Sequence, residues 1–161
     1  MNHLANIADF GRELMALDDI DKILDLIGVK AKTLVEADRC SVFIVDREDS
    51  MLWTRLSDGI GRIVISLNSG IVGDTYAKEE AQIVNNPYED SRFLETIDKK
   101  SGYKTESIIA VPIFDSKHEV MGVMQLLNKK RGTFSEEDLE KLTFFANYVS
   151  GSLELNIMNM V

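Results

Sequence analysis

One cysteine, two histidines, two prolines and one tryptophan among 161 residues leave several kinds of chemistry without material. A single cysteine excludes an internal disulfide, and one cysteine with two histidines supplies no cluster of zinc-site spacing. No run approaches the roughly 18 consecutive apolar residues of a membrane-crossing helix. The opening MNHLANIADF has neither the basic region nor the apolar stretch of a signal peptide. The chain therefore reads as cytoplasmic, without direct membrane contact. Basic residues are in the minority, 18 Lys and Arg against 27 Asp and Glu for a net charge of −9, and they nowhere gather into the concentrated surface that a nucleic-acid backbone requires. No cofactor and no metal are expected. A hydrophobic fraction of 45% is enough for one core in a chain of this length.

A catalytic constellation is also missing. Cys40 sits in an alternating apolar run and reads as a packing residue, His3 lies near one end and His118 in a turn, so no nucleophile stands beside a base. The chain is expected not to be an enzyme in its own right.

What is present is periodicity. Leu4, Ile7, Ala8, Gly11, Leu14 and Met15 have helical spacing, and after a cap at Asp18 or Asp19 the residues Ile20, Ile23, Leu24, Ile27, Ala31 and Leu34 repeat it. The pattern then changes to the short β-rich runs CSVFIVD, MLWTRL and RIVIS, joined by short turns that make them antiparallel neighbours. Residues 68–78 read as a loop entering a short helix, and Gln82-Ile83-Val84 as a brief strand. Asn85-Asn86-Pro87 breaks the pattern, and Phe93, Leu94 and Ile97 read as a helical turn. Ser107–Phe114 and Val120–Asn128 read as strands, with Pro112 placed at a bulge or facing away from its neighbour because it has no N–H for a ladder. Ser135 and Asp138 form a capping box at the head of a long helix. Along it Leu139, Leu142, Ala146, Val149, Leu153, Asn156 and Met160 alternate in threes and fours. That stripe has two readings: packing on the domain's own sheet, or pairing of its distal half with a second protomer or an output domain.

In this order the segments resemble a GAF domain, a small-molecule sensor module of cyclic-nucleotide phosphodiesterases, adenylate cyclases, histidine kinases and transcriptional regulators. The resemblance rests on Arg39-Cys40-Ser41-Val42-Phe43 with Asp46, Asn68-Ser69-Gly70-Ile71-Val72-Gly73, Ile83-Val84-Asn85, residues 101–113, and Val120–Lys129. It implies an α+β fold, a six-stranded antiparallel sheet with N- and C-terminal helices on one face and a ligand-side pocket on the other. It divides the chain into a linker helix at 1–17, the GAF-like domain at 18–155, and the end of a signalling or dimerisation helix at 156–161. The dispersed Asn-Lys-Phe-Asp-Glu signature of nucleotide-binding members is matched by Asn128, Lys129, Phe134 and Asp138, while Leu139 stands where the final Glu belongs. In relatives the Lys and Asp form a structural pair.

The resemblance further implies that Ser41, Ser57 and Asp58 lie near a base edge, Ile71 and Val72 near a phosphate, Asn86 and Thr105 toward a lid, and Gln125 on the sheet floor. Asp58 serves equally to stabilise the glycine turn that follows it. Gly70 opens a helix whose free N–H groups would suit an anion, and Tyr103 is the tyrosine best placed to line a pocket, ahead of Tyr76 and Tyr88. Trp53 and Phe43 read as core between sheet and helices. The leading expectation is a non-catalytic sensor of a small molecule, with cyclic AMP or cyclic GMP as the named class, forming a homodimer through its terminal helices and serving an output domain in a longer protein. The alternative is a structural or dimerisation module whose interior is filled by its own side chains.

Overall fold

A computed structural model describes residues 3–55, 62–94 and 102–160. Helices α1 (His3–Met15) and α2 (Ile20–Val35) precede β1 (Ala37–Asp46), β2 (Met51–Arg55) and β3 (Arg62–Ser66). Helix α3 (Gly70–Lys78), β4 (Gln82–Val84) and a 3-10 turn (Pro87–Glu89) lead through a connecting segment to β5 (Ile108–Phe114), β6 (Val120–Lys129) and the long helix α4 (Glu136–Met158). The strands form one antiparallel sheet in the order β3-β2-β1-β6-β5-β4. This is the architecture the sequence predicted.

Alternation along the strands sends side chains to two separate cores. Val42, Ile44, Ile109, Val111, Ile113, Met124 and Leu126 face the helical layer, where they meet Ile23, Ile27 and Ala31 of α2 and Leu142, Ala146, Val149 and Leu153 of α4. Phe43, Leu52, Ile108, Ala110 and Val123 face the other way, against Ile71 and Val72 of α3. Phe43 and Trp53 are therefore not partners in one core: Trp53 packs on the helical side and Phe43 beneath α3.

The helix ends follow from local chemistry. Asp19 accepts from the Asp21 N–H at the start of α2, and Ser135 with Asp138 completes both bonds of the capping box at the start of α4. Pro112 lies opposite Val123, beyond the end of β4, where β5 is itself the sheet edge, and the register shifts just after it at Ile113/Phe114. Phe93 and Leu94 are not helical; Phe93 packs edge-on against Tyr88 at 5.2 Å, and Ile97 lies outside the described residues.

The expected pairing stripe of α4 is largely an internal one. Leu142, Ala146, Val149 and Leu153 are all buried in the helical core, which answers in favour of the domain's own packing for that part of the stripe. Asn156 is half-buried, and its amide donates to Ser152 O at 2.8 Å within the same helix. Among the described residues no helix is long and apolar enough to cross a membrane.

Candidate functional site

The face of the sheet opposite the long helices carries the residues singled out above. Directly opposed residues in an antiparallel ladder share a face, so the pairings Ser41↔Gln125, Gln125↔Ala110 and Ala110↔Gln82 lay one row across four strands. The neighbouring row is Arg39, Leu127, Ile108 and Val84. Ser41 and Gln125 are half-buried, and among the described residues neither side chain has a hydrogen-bond partner.

Tyr103 closes one end of this face. The Arg39 guanidinium carbon lies 3.7 Å from its ring centroid, a cation–π contact. The Tyr103 hydroxyl donates to Asp38 Oδ2 at 2.6 Å and accepts from Asn128 Nδ2 at 2.9 Å. Burial, then the hydrogen bond and charge of Asp38, push its ionisation upward, so the phenol stays a neutral donor. Asn128 also donates to Lys104 O, and its own Oδ1 accepts from the N–H groups of Glu106 and Ser107. With φ at +59°, it holds the 103–107 segment to the end of β6. Thr105, inside that segment, is buried with 1% exposure.

The matched Lys and Asp are likewise architectural. Lys129 Nζ donates to Asp138 Oδ1 at 3.0 Å and to Val35 O at 2.8 Å, so one ammonium ties β6 to the C-terminal carbonyl of α2 and the N-terminal turn of α4. Each charge faces the helix end whose dipole favours it. Phe134 is buried nearby, and Leu139 packs against the helical core rather than supplying an acid.

Helix α3 and the segment after β4 form the cover. Gly70 has φ at +68°, and a Cβ there would stand 3.2 Å from the Leu94 side chain, so the covering segment rests directly on the helix start. Ser69 gives no side-chain cap. Ile71 and Val72 turn their side chains into the apolar cluster, which leaves only their backbone to face a ligand. Asn86 is exposed at the head of the 3-10 turn. Ser57 and Asp58 lie outside the described residues.

A cluster that local sequence patterns did not reveal fastens this cover. Arg92 donates to Asp74 Oδ2 at 2.6 Å, to Gln82 Oε1 at 2.8 Å and to both carboxylate oxygens of Asp90, while Gln82 donates to Asp74 and to Thr75. The Arg92 hydrogen bond is the main cause that holds Asp90 down to about 2. Burial opposes the charged form of Asp74, but bonds from Gln82, Lys78 and Arg92 outweigh it and lower its pKa. Arg39 was likewise missed as a site residue, since nothing local marks a strand arginine as a lid for a tyrosine 64 positions away.

Among the described residues, no group of three His, Cys, Asp or Glu is arranged to hold a metal ion. Cys40 is a half-buried residue whose thiol is pushed up to about 12 by burial, the opposite of an activated nucleophile.

The GAF domain family model matches residues 19–153. The chain is 33% identical, over 132 residues, to a probable 3',5'-cyclic phosphodiesterase of Caenorhabditis elegans, covering 73% of this chain and 18% of that protein. It is 35% identical over 159 residues to the dual 3',5'-cyclic-AMP and -GMP phosphodiesterase 11A of Takifugu rubripes, covering 85% of this chain and 17% of that protein. The chain thus spans less than a fifth of the length of these curated relatives. Its fold matches the solved GAF domain of a phosphoenolpyruvate-protein phosphotransferase from Coxiella burnetii with a TM-score of 0.82 at 18% identity, over 99% of this chain and 96% of that one. With the motif segments, the sheet order and the family match in agreement, the chain belongs to the GAF domain family.

Proposed function

We propose that this chain is a non-catalytic regulatory GAF module that works without a nucleotide ligand and passes its output through its terminal helices, as one part of a longer signalling protein. The observation that carries this reading is the packing beneath α3. Phe43, Leu52, Ile71, Val72, Ile108 and Val123 meet there with no side chain more than 5% exposed, so this part of the sheet face is occupied by the protein itself. The Asn128 and Lys129–Asp138 contacts have complete architectural roles without any ligand. Membership of a family whose modules are generally regulatory supports the absence of turnover.

One observation favours a second reading, a cyclic-nucleotide sensor. Ser41 and Gln125 present unpaired polar side chains on the sheet floor, in the row next to Arg39, and two curated relatives carry the name of cyclic phosphodiesterases. In that reading Ser41, Ser57, Asp58 and Gln125 read the base, the α3 start from Gly70 to Val72 takes the phosphate, and Asn86, Tyr103 and Thr105 close over the ligand. The experiment is isothermal titration calorimetry of nucleotide-free protein with cyclic AMP and cyclic GMP. Flat traces from folded protein are the expected result. Saturable one-to-one binding of either nucleotide overturns the first reading and establishes the second.

A further inference from the structure

The connection between β6 and α4 carries the only run of three basic residues in the chain, Lys129-Lys130-Arg131, followed by Gly132, Thr133 and Phe134. Lys129 is bound inside the fold, as described. Lys130 and Arg131 are exposed, and among the described residues neither side chain has an ion-pair or hydrogen-bond partner. Two adjacent cations left unpaired in a chain with 27 acidic residues contribute little to its stability. Three cations are also too few to hold a nucleic-acid backbone. What they can do is mark the residue beside them.

The turn presents that residue. The Lys130 N–H donates to Glu36 O at 2.9 Å and Phe134 is 3% exposed, so the connection is pinned at both ends. Between the pins Arg131, Gly132 and Thr133 stand in solvent; Gly132 has φ at +80°, and a Cβ built on it meets nothing within 4 Å. The Thr133 hydroxyl has no hydrogen-bond partner among the described residues. Other exposed hydroxyls are engaged: Thr33 and Thr143 donate back to their own helices, Ser116 donates to Glu154, and Ser135 caps α4. The flanking charges single out Thr133 as well. It has Arg131 two residues and Lys130 three residues before it, and no other serine or threonine of the chain has a basic residue at both positions. Thr33 follows Lys30 but lies within α2, and Ser50 follows Arg47 only across Glu48 and Asp49. Charge patterns of this kind are how kinases choose their substrates.

We propose that Thr133 is a phosphorylation site for a basophilic protein kinase, one that selects a hydroxyl preceded by basic residues, with Lys130 and Arg131 as its recognition elements. The Thr133 Oγ attacks the γ-phosphorus of ATP. The new O–P bond forms as the bond to the bridging oxygen of the leaving ADP breaks, and the hydroxyl proton passes to the catalytic carboxylate of the kinase. Phe134 and Ser135 hold the following residues in the fold, so the turn opens locally in the encounter while the sheet and helices stay formed. Phosphorylation places about −2 of charge two residues ahead of the N-cap Ser135. The first turn of α4 already carries Glu136, Glu137 and Asp138, and the capping box occupies the Ser135 and Asp138 N–H groups. Like-charge repulsion there loosens the start of α4. The inference goes beyond the regulatory reading by naming a covalent input to the helix.

The test incubates the folded 161-residue chain with magnesium ATP and the catalytic subunit of cyclic-AMP-dependent protein kinase as a basophilic probe, and maps the phosphate by tandem mass spectrometry. A single phosphate on Thr133 is expected. Thr133→Val should abolish incorporation and Arg131→Ala should slow it by at least about tenfold, both with unchanged far-UV circular dichroism. In the phosphorylated chain the amides of Asp138 and Leu139 should exchange at least about threefold faster than in the unmodified one. A folded chain that takes no phosphate at Thr133 overturns the proposal, as does incorporation that survives Thr133→Val or a rate that Arg131→Ala leaves unchanged. Unaltered exchange at Asp138 and Leu139 overturns the loosening of α4. The calorimetry above reports separately: nucleotide binding removes the ligand-free reading and leaves this site standing, while flat traces with an unmodified Thr133 do the reverse.

Discussion

Replacing Asp138 by alanine tests the junction at which β6, α2 and α4 meet. Its carboxylate accepts from the Lys129 ammonium at 3.0 Å and from the Ser135 N–H at 3.0 Å, and the two charged side chains are 14% and 6% exposed for Lys129 and Asp138. Alanine removes half of the capping box and strands a nearly buried ammonium whose remaining partner is the neutral Val35 carbonyl. Breaking a buried pair from one side costs about 3–5 kcal/mol, and the lost cap is included at the lower end, so we expect a loss of about 3 kcal/mol. Lys129→Ala should cost less, about 2 kcal/mol, because Asp138 keeps the Ser135 N–H and the favourable helix N-terminus. The double variant Lys129→Met/Asp138→Leu should recover much of the loss, since neither charge is then left alone. Urea unfolding followed by far-UV circular dichroism reads the effect. With a denaturant slope of about 2 kcal/mol per M, the Asp138→Ala midpoint should fall by about 1.5 M. If both single variants cost under about 1 kcal/mol and their effects simply add, the pair behaves as a surface contact and the reasoning fails.

Three other outcomes follow from the geometry. Asp90 is held down to about 2 from 3.8, so its contribution is complete above about pH 4 and lost as the pH falls toward 2; Arg92→Gln should flatten the pH dependence of unfolding free energy in that window, and an unchanged slope would remove Arg92 as the cause. Cys40, with its thiol pushed up to about 12 by burial, should react with a thiol reagent at neutral pH much more slowly than a free cysteine, because so little thiolate is present, and labelling of the native state as fast as that of the unfolded chain would contradict its placement. Glu154→Ala should release the β5–β6 turn from α4 and raise amide exchange at Ser116 and over residues 154–158, while global stability changes by less than about 1 kcal/mol; unaltered exchange would show that the two Ser116 bonds do not restrain the helix.

Much of the fold was legible because its elements advertise themselves locally. The capping box of Ser135 and Asp138, the Asp19 cap, the alternation around Cys40 in β1 and the apolar runs of β5 and β6 are patterns of adjacent residues, and each became the element it predicted. The covering segment was less legible: Phe93 and Leu94 have helical spacing, yet they anchor a non-helical strap, because contacts with Tyr88 and with Gly70 of α3 outweigh local propensity. The Arg92 cluster draws Asp74, Gln82 and Asp90 from three separate pieces of chain, and separations of that kind leave no local trace.

By itself the sequence determined the main helices and the six strands, the shortage of metal-binding and nucleophilic groups, and the segments that resemble the GAF family, since all of these depend on composition and on neighbours along the chain. Only the tertiary structure decided which face of each element is inside. Helix α4 shows why: both of its sides are apolar, so periodicity alone supports either stripe as the buried one. The sheet settles the choice by taking Leu142, Ala146, Val149 and Leu153 into the core and leaving Phe144, Leu155 and Met158 exposed, while Tyr148 packs on Phe10 and donates to Ile7 O of α1. Burial is a property of what packs against a residue, and that partner lies far away in sequence.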